Sequence, residues 1–371
     1  MSASSTGNVG RAVDWNFAAT VGAKLVRPAP PATEYTRRQA MDQLSEFARA
    51  AERPVRDVTR LNEGAAVTEA RIVDRPEWVR AATESMRVMT GGDEAGTATA
   101  SESKAGRITR RVTGAQTGAV LAFVSSGILG QYDPFARRAA AERPGNDPGG
   151  SGELLLVYPN VIAVERHLRV SPADFRLWVC LHEVTHRVQF RANPWLTEHM
   201  SQSLAVITDD SGQELTQVVG RLGEFVRNKR NGSGGQVPEP NSEGMVGLLR
   251  ATQSEPQRKA LDQLLVLGTL LEGHADHVMD AVGPKVVPSV ATIRRRFDER
   301  RQRKQPPIQR LLRALLGLDA KLSQYTRGKA FVDHVVGKVG MDAFNTVWTS
   351  AETLPLPTEV DEPQRWIDRV L

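Results

Sequence analysis

A single cysteine, Cys180, stands among the 371 residues, so no intrachain disulfide can form. That points to a reducing compartment. No stretch approaches eighteen uninterrupted apolar residues, so no transmembrane helix is expected. The opening Met1-Ser2-Ala3-Ser4-Ser5-Thr6-Gly7 lacks a charged segment followed by an apolar run. A secretory leader is therefore not expected, and the expected location is cytoplasmic. Charge of one sign is scarce too: 48 Lys and Arg against 43 Asp and Glu leave +5, a weak field for this size. One basic run, Arg294 to Lys304, is interrupted by Asp298 and Glu299 and has no aromatic ladder beside it. Val290, Ile293 and Phe297 give it a narrow apolar stripe, which fits a solvated helix face better than a grip on phosphates. Neither nucleic acid nor membrane is expected as a partner. No internal repeat is present.

What the chain does have is an ordinary globular balance, 40 % hydrophobic and 25 % charged, and enough length for a large core. Its most informative segment is His182-Glu183-Val184-Thr185-His186. On a helix the two histidines lie four residues apart on one face, so both imidazoles can bind one metal ion. Glu183, one position on, can reach a metal-bound water rather than the metal. Zinc takes neutral imidazole nitrogen in tetrahedral geometry, and a catalytic zinc keeps one position for water. Ser171 as N-cap, Pro172 at the first helical position and Asn193-Pro194 at the end bound this helix. Arg187 departs from the pattern, because an uncharged residue usually follows the second histidine. The bland alternative is a structural helix with two surface histidines.

A third ligand is required, and the segment Glu255 to Val282, closed by Gly283-Pro284, reads as a long helix able to carry it. Its apolar stripe runs Leu261, Leu264, Leu265, Gly268, Leu271, Ala275 and Met279, with Glu272 inside it. A buried lone carboxylate needs a cationic or metal partner. Asp276, one turn on, would then accept from the second nitrogen of a ligand histidine and fix its tautomer. His274 and His277 are the competing ligands, and a carboxylate paired with a buried arginine is the structural alternative. Cys180 projects roughly 200° away from His182 and is not expected at the metal.

These segments, with Gln131 to Phe135, Leu154 to Asn160, Val287 to Ser289, Gly317 to Lys321 and Gln324-Tyr325, resemble a bacterial family of zincin-like hydrolases. The family is mainly actinobacterial and is often labelled as associated with biosynthesis of a deazaflavin coenzyme, which says nothing of chemistry. The resemblance runs from about Val13 to Val370. It implies His182 and His186 as ligands, Glu183 as base and Glu272 as third ligand, with substrates undefined. A Tyr-x-x-Gly helix, here Tyr325 to Gly328, resembles one that follows the glutamate helix in thermolysin-like peptidases. In some of those its tyrosine donates to the oxyanion, a task suited to a neutral phenol. Packing of Tyr325 with its hydroxyl on a backbone carbonyl is the alternative.

The expected fold is α+β and α-rich: a zincin-like metallopeptidase fold with a small sheet beside the active-site helix. Residues 1–12 read as disordered, 13–115 as a helical N-terminal part and 116–371 as a catalytic region continuous with it. Thr33 to Ala51 is the clearest early helix, and Val120 to Leu129 fits strand or helix. Glu153 to Tyr158 reads as a short strand stopped by Pro159-Asn160, placed where an edge for an extended peptide is expected. Asn228 to Glu243 is a candidate lid or a tolerant insertion. Two functions stay open. One is a zinc-dependent hydrolase holding one Zn2+ per chain, acting on a peptide or protein through a water activated by Glu183. The other is a catalytically weak zincin-fold module that binds metal or a partner. Oligomeric state is not legible.

Overall fold

Leu154, Leu155, Leu156 and Val157 are each 1 % exposed or less, a continuous apolar run of the kind a strand shows when both faces are covered. In the computed structural model, which describes residues 10–90, 104–136, 152–208, 254–302 and 318–371, this run is the centre of a three-stranded sheet. The strands are β1 (Arg71–Val73), β2 (Gly130–Asp133) and β3 (Glu153–Val157), in the order β1-β3-β2. β1 runs parallel to β3 with Ile72 opposite Leu156, and β2 runs antiparallel with Gln131 opposite Leu155. The expected edge strand is therefore the central one. Its backbone groups are engaged on both sides and offer no ladder to a peptide.

Helices make up most of the rest. In chain order they are α1 (Trp15–Leu25), α2 (Glu34–Ala50), α3 (Glu52–Thr59), α4 (Arg75–Met89), α5 (Lys104–Val124) and α6 (Tyr158–Leu168). Then follow α7 (Pro172–Ala192), α8 (Trp195–Thr208), α9 (Glu255–Val282), α10 (Val290–Gln302), α11 (Leu318–Phe344) and α12 (Pro363–Val370). The fold is thus α-rich α+β with a small sheet. Gly10–Ala12 form a short 3-10 turn, and the remainder of 1–12 lies outside the described residues. The candidate lid at 228–243 also lies outside them.

Two compact units divide the chain, the first within Met1–Met41, Ala70–Ala163 and Leu204–Gln236. Its core joins Val73, Trp78, Val79, Ala82, Leu121, Leu155 and Val157 from β1, α4, α5 and β3. Asp74 starts α4 through a capping box with Glu77, which satisfies two free N–H groups at once. β3 ends at Val157, just before Pro159-Asn160, and α6 begins at once at Tyr158, with Pro159 in its first turn where no donor is needed. Asn160 then donates to Ser125 O and Ile128 O, both at 2.6 Å, and accepts from Arg75 Nε at 2.7 Å.

The second unit lies within Asp42–Glu69, Val164–Ser203 and Val237–Leu371. α9 packs against α7, α3 and α11. With neighbours on several sides it is buried around much of its circumference: Val266, Leu267, Leu270, His274 and Val278 are all within, beside Leu271 and Ala275. Leu261, Leu264, Leu265 and Gly268 of the expected stripe are only half-buried. The basic face of α10 is also less free than expected. Arg294 pairs with Asp280 at 2.5 Å, and Arg296 donates to Leu168 O at 3.0 Å.

Candidate metal centre

α7 is set by its ends. Ser171 Oγ accepts from Asp174 N, Pro172 occupies the first turn, and Asn193 follows the last helical residue. Between them the i,i+4 spacing brings His182 Nε2 within 3.2 Å of His186 Nε2, the rings edge to face. α9 delivers Glu272, whose Oε2 lies 3.3 Å from His182 Nε2 and 3.6 Å from His186 Nε2. Among the described residues these three form the candidate metal group, with ligand atoms all within 4.8 Å of one another. Tetrahedral zinc with bonds of ~2.0–2.1 Å requires ligand atoms ~3.3 Å apart. The three observed separations straddle that edge length. Two nitrogens and a carboxylate oxygen are also the donor set of a catalytic zinc site with one position left for water. The residues present fit a zinc ion.

The electrostatics agree. Burial alone would lower the His182 pKa, but the hydrogen bond to Glu272 and the charges of Glu183, Glu272 and Asp276 outweigh it and push it up to about 9. Burial would raise the Glu272 pKa, yet hydrogen bonds from both histidines and their charges hold it well below the usual carboxylate range. The two shifts are the two sides of one interaction, the carboxylate and the imidazoles each holding the other charged. The side chains of His182, His186 and Glu272 keep 21 %, 14 % and 16 % exposure, while the Glu272 Oε2 atom itself is buried. Glu183 is buried one residue round from His182.

The other candidates are distributed as follows. His274 is fully buried, and its Nδ1 lies 2.9 Å from Gln189 Nε2. Burial, and after it the charges of His277 and His186, push its pKa down to about 3, so it stays neutral. His277 Nδ1 pairs with Asp333 at 2.7 Å. Neither histidine joins the metal group. Asp276 does not take the accepting position expected of it. Arg294 of α10 lies 3.6 Å from its carboxylate and donates to its backbone oxygen at 2.9 Å, and a guanidinium outcompetes a neutral imidazole for a carboxylate. The histidine Nδ1 atoms face Gln189 Oε1 at 2.9 Å and Met279 Sδ at 3.3 Å instead. Both partners went unnoticed in the sequence. The available signal was spacing: Gln189 is one turn beyond His186 inside a buried stripe. Cys180 Sγ points to Leu44 O, and burial pushes its thiol pKa up, so it is a core group. Tyr325 lies on α11, and its side chain is outside the described residues.

Residues 13–367 match the family of zincin-like metallopeptidases. The chain belongs to that family. A crystal structure of a candidate hydrolase with a novel fold, from Chloroflexus aurantiacus, is similar to this zincin at a TM-score of 0.61 and 26 % identity. The likeness covers 96 % of this chain and 98 % of that one. No curated protein matches. Family and structural likeness together support a hydrolase of the zincin type, and the family implies a metal, usually zinc. No helix among the described residues is long and apolar enough to cross a membrane.

Proposed function

We propose that this zincin is a zinc-dependent peptidase in which His182, His186 and Glu272 hold one metal ion. The observation that carries this reading is the triangle of 3.2, 3.3 and 3.6 Å between their ligand atoms. Zinc held there supplies Lewis acidity toward a carbonyl and lowers the pKa of water. Glu183 takes the proton from the attacking water and passes it to the leaving amine, the task of a general base that then acts as acid. Its burial beside His182 in sequence desolvates it. Tyr325 is the candidate donor to the oxyanion. Asp276 contributes through its field on His182. The lone, buried Cys180 supports a reducing, cytoplasmic setting.

A second reading, a zincin-fold module that binds metal or a partner with little turnover, is favoured by one observation. β3 is paired on both sides, so the expected peptide-docking edge is already used. Metal analysis and a peptide-library screen separate the two. The peptidase reading expects about one zinc per chain and cleavage abolished by a chelator and restored by zinc. Zinc without cleavage of any peptide selects the second reading. Absence of zinc in the intact protein, or cleavage indifferent to chelation, overturns the first.

A further inference from the structure

Gln189 joins His186 of the metal group to two groups of α9. Its Nε2 lies 3.0 Å from Leu271 O and 2.9 Å from His274 Nδ1, and its Oε1 lies 2.9 Å from His186 Nδ1. It is buried completely. A carbonyl oxygen can only accept, so the amide atom facing Leu271 O must be the NH2 group. The other amide atom is then the oxygen, which can only accept. His186 Nδ1 must therefore carry a proton, and its Nε2 keeps the lone pair that a metal requires. The same logic reaches His274, whose Nδ1 accepts the second N–H of the amide and whose proton sits on Nε2. One backbone carbonyl thus sets the polarity of the whole chain of contacts.

We infer that Gln189 is the positioning residue that holds His186 in the tautomer able to bind metal, with His274 and the Leu271 carbonyl fixing the direction of its amide. Leu271 is the neighbour of Glu272, so the same side chain also ties α7 to α9 beside the third donor. His182 is oriented more weakly. Met279 Sδ carries no proton and can only accept from His182 Nδ1, and a thioether is a poor acceptor. His274 is itself held in place, with the rings of Phe344 and Trp348 at 5.4 and 5.5 Å. The arrangement rests on the proposed metal site for its use, but its hydrogen-bond polarity exists without metal.

The experiment combines zinc affinity, from competition with a chelator, and histidine tautomers, from long-range proton–nitrogen NMR on 15N-labelled protein. In the unsubstituted protein, with and without zinc, His274 is expected as the Nε2–H tautomer, its signal identified by loss in His274→Phe. Gln189→Leu removes the acceptor and is expected to weaken zinc roughly 10–100-fold. Gln189→Glu keeps an acceptor for His186 and, while ionised, has no proton to donate. It is expected to retain most of the affinity while turning His274 to the Nδ1–H tautomer. Full affinity in Gln189→Leu, equal losses in both variants, or Nδ1–H at His274 in the unsubstituted protein would each overturn the assignment. Failure of the unsubstituted protein to bind zinc would count against the metal site. The His274 tautomer, read without zinc, tests the relay by itself, even where Gln189→Leu does not fold.

Discussion

Arg187 follows the second histidine of the motif, and its side chain is buried within the second unit, which also holds the metal group. It is 1 % exposed, lies 2.5 Å from Glu52 Oε1 and donates to Thr68 O at 2.6 Å and Ala48 O at 3.2 Å. Glu52 also pairs with Arg56 at 2.7 Å. Replacing Arg187 with alanine leaves a buried carboxylate short of a partner and is expected to cost about 3–5 kcal/mol, read from the urea midpoint. Glu183→Gln should behave in the opposite way, keeping fold and zinc while turnover falls ~10²–10⁴-fold. Unchanged turnover in that variant would place the proton acceptor elsewhere. Acid sensitivity has its own residue. Burial would raise the pKa of Glu359, but two hydrogen bonds from Arg369 and one from Leu356 N–H hold it below its ordinary value of 4.5. A carboxylate with a depressed folded pKa stabilises the protein above its unfolded value, and loses that contribution as pH falls through the folded one. Glu359→Gln should therefore lower stability at neutral pH and flatten the loss on acidification, as denaturant midpoints across pH will show.

At the scale of elements, α9 and α11 cross backbone to backbone beside the centre. A Cβ on Gly273 would stand 2.2 Å from Gly328 C, and one on Gly328 would stand 2.1 Å from Thr269 O. Backbone meets backbone there, one residue from Glu272. Gly273→Ala should cost about 1–3 kcal/mol by forcing the helices apart, and should weaken zinc by moving its neighbour. Thermal unfolding and chelator competition check both parts, and zinc affinity unchanged after a measured destabilisation would uncouple the crossing from the centre. The bounds of α7 and α9 were legible because caps and prolines state them locally, at Ser171-Pro172, Asn193-Pro194 and Gly283-Pro284. The i,i+4 histidines and Glu272 were legible for the same reason: helical spacing is a local property. What a helix meets is not local. Asp276 could be placed on the right face of α9, yet nothing in its own segment announced Arg294. The run at Glu153 showed a strand but not its neighbours, and its unbroken burial was the sign that it lay in the middle of the sheet. Gln189 stands three residues beyond the second histidine, but its role depends on a carbonyl 82 positions away.

For the molecule as a whole, metal and fold should be linked. A ligand that binds only the folded chain adds about 2.7 kcal/mol at a hundred times its dissociation constant. Excess zinc is thus expected to raise the midpoint of thermal unfolding, a chelator to return it, and His182→Ala to remove the response. A rise of equal size in His182→Ala would place the bound zinc somewhere else. The order of the chain has a further consequence for how this protein is made. His182 and His186 precede Glu272 by 90 and 86 positions. At the usual pace of synthesis, ~5–20 residues per second, the third donor leaves the ribosome several seconds after the pair. During that interval the nascent protein would carry two of the three proposed donors, too few to retain an ion. Metallation at the proposed site would then be a late event in its biogenesis, timed by the emergence of α9.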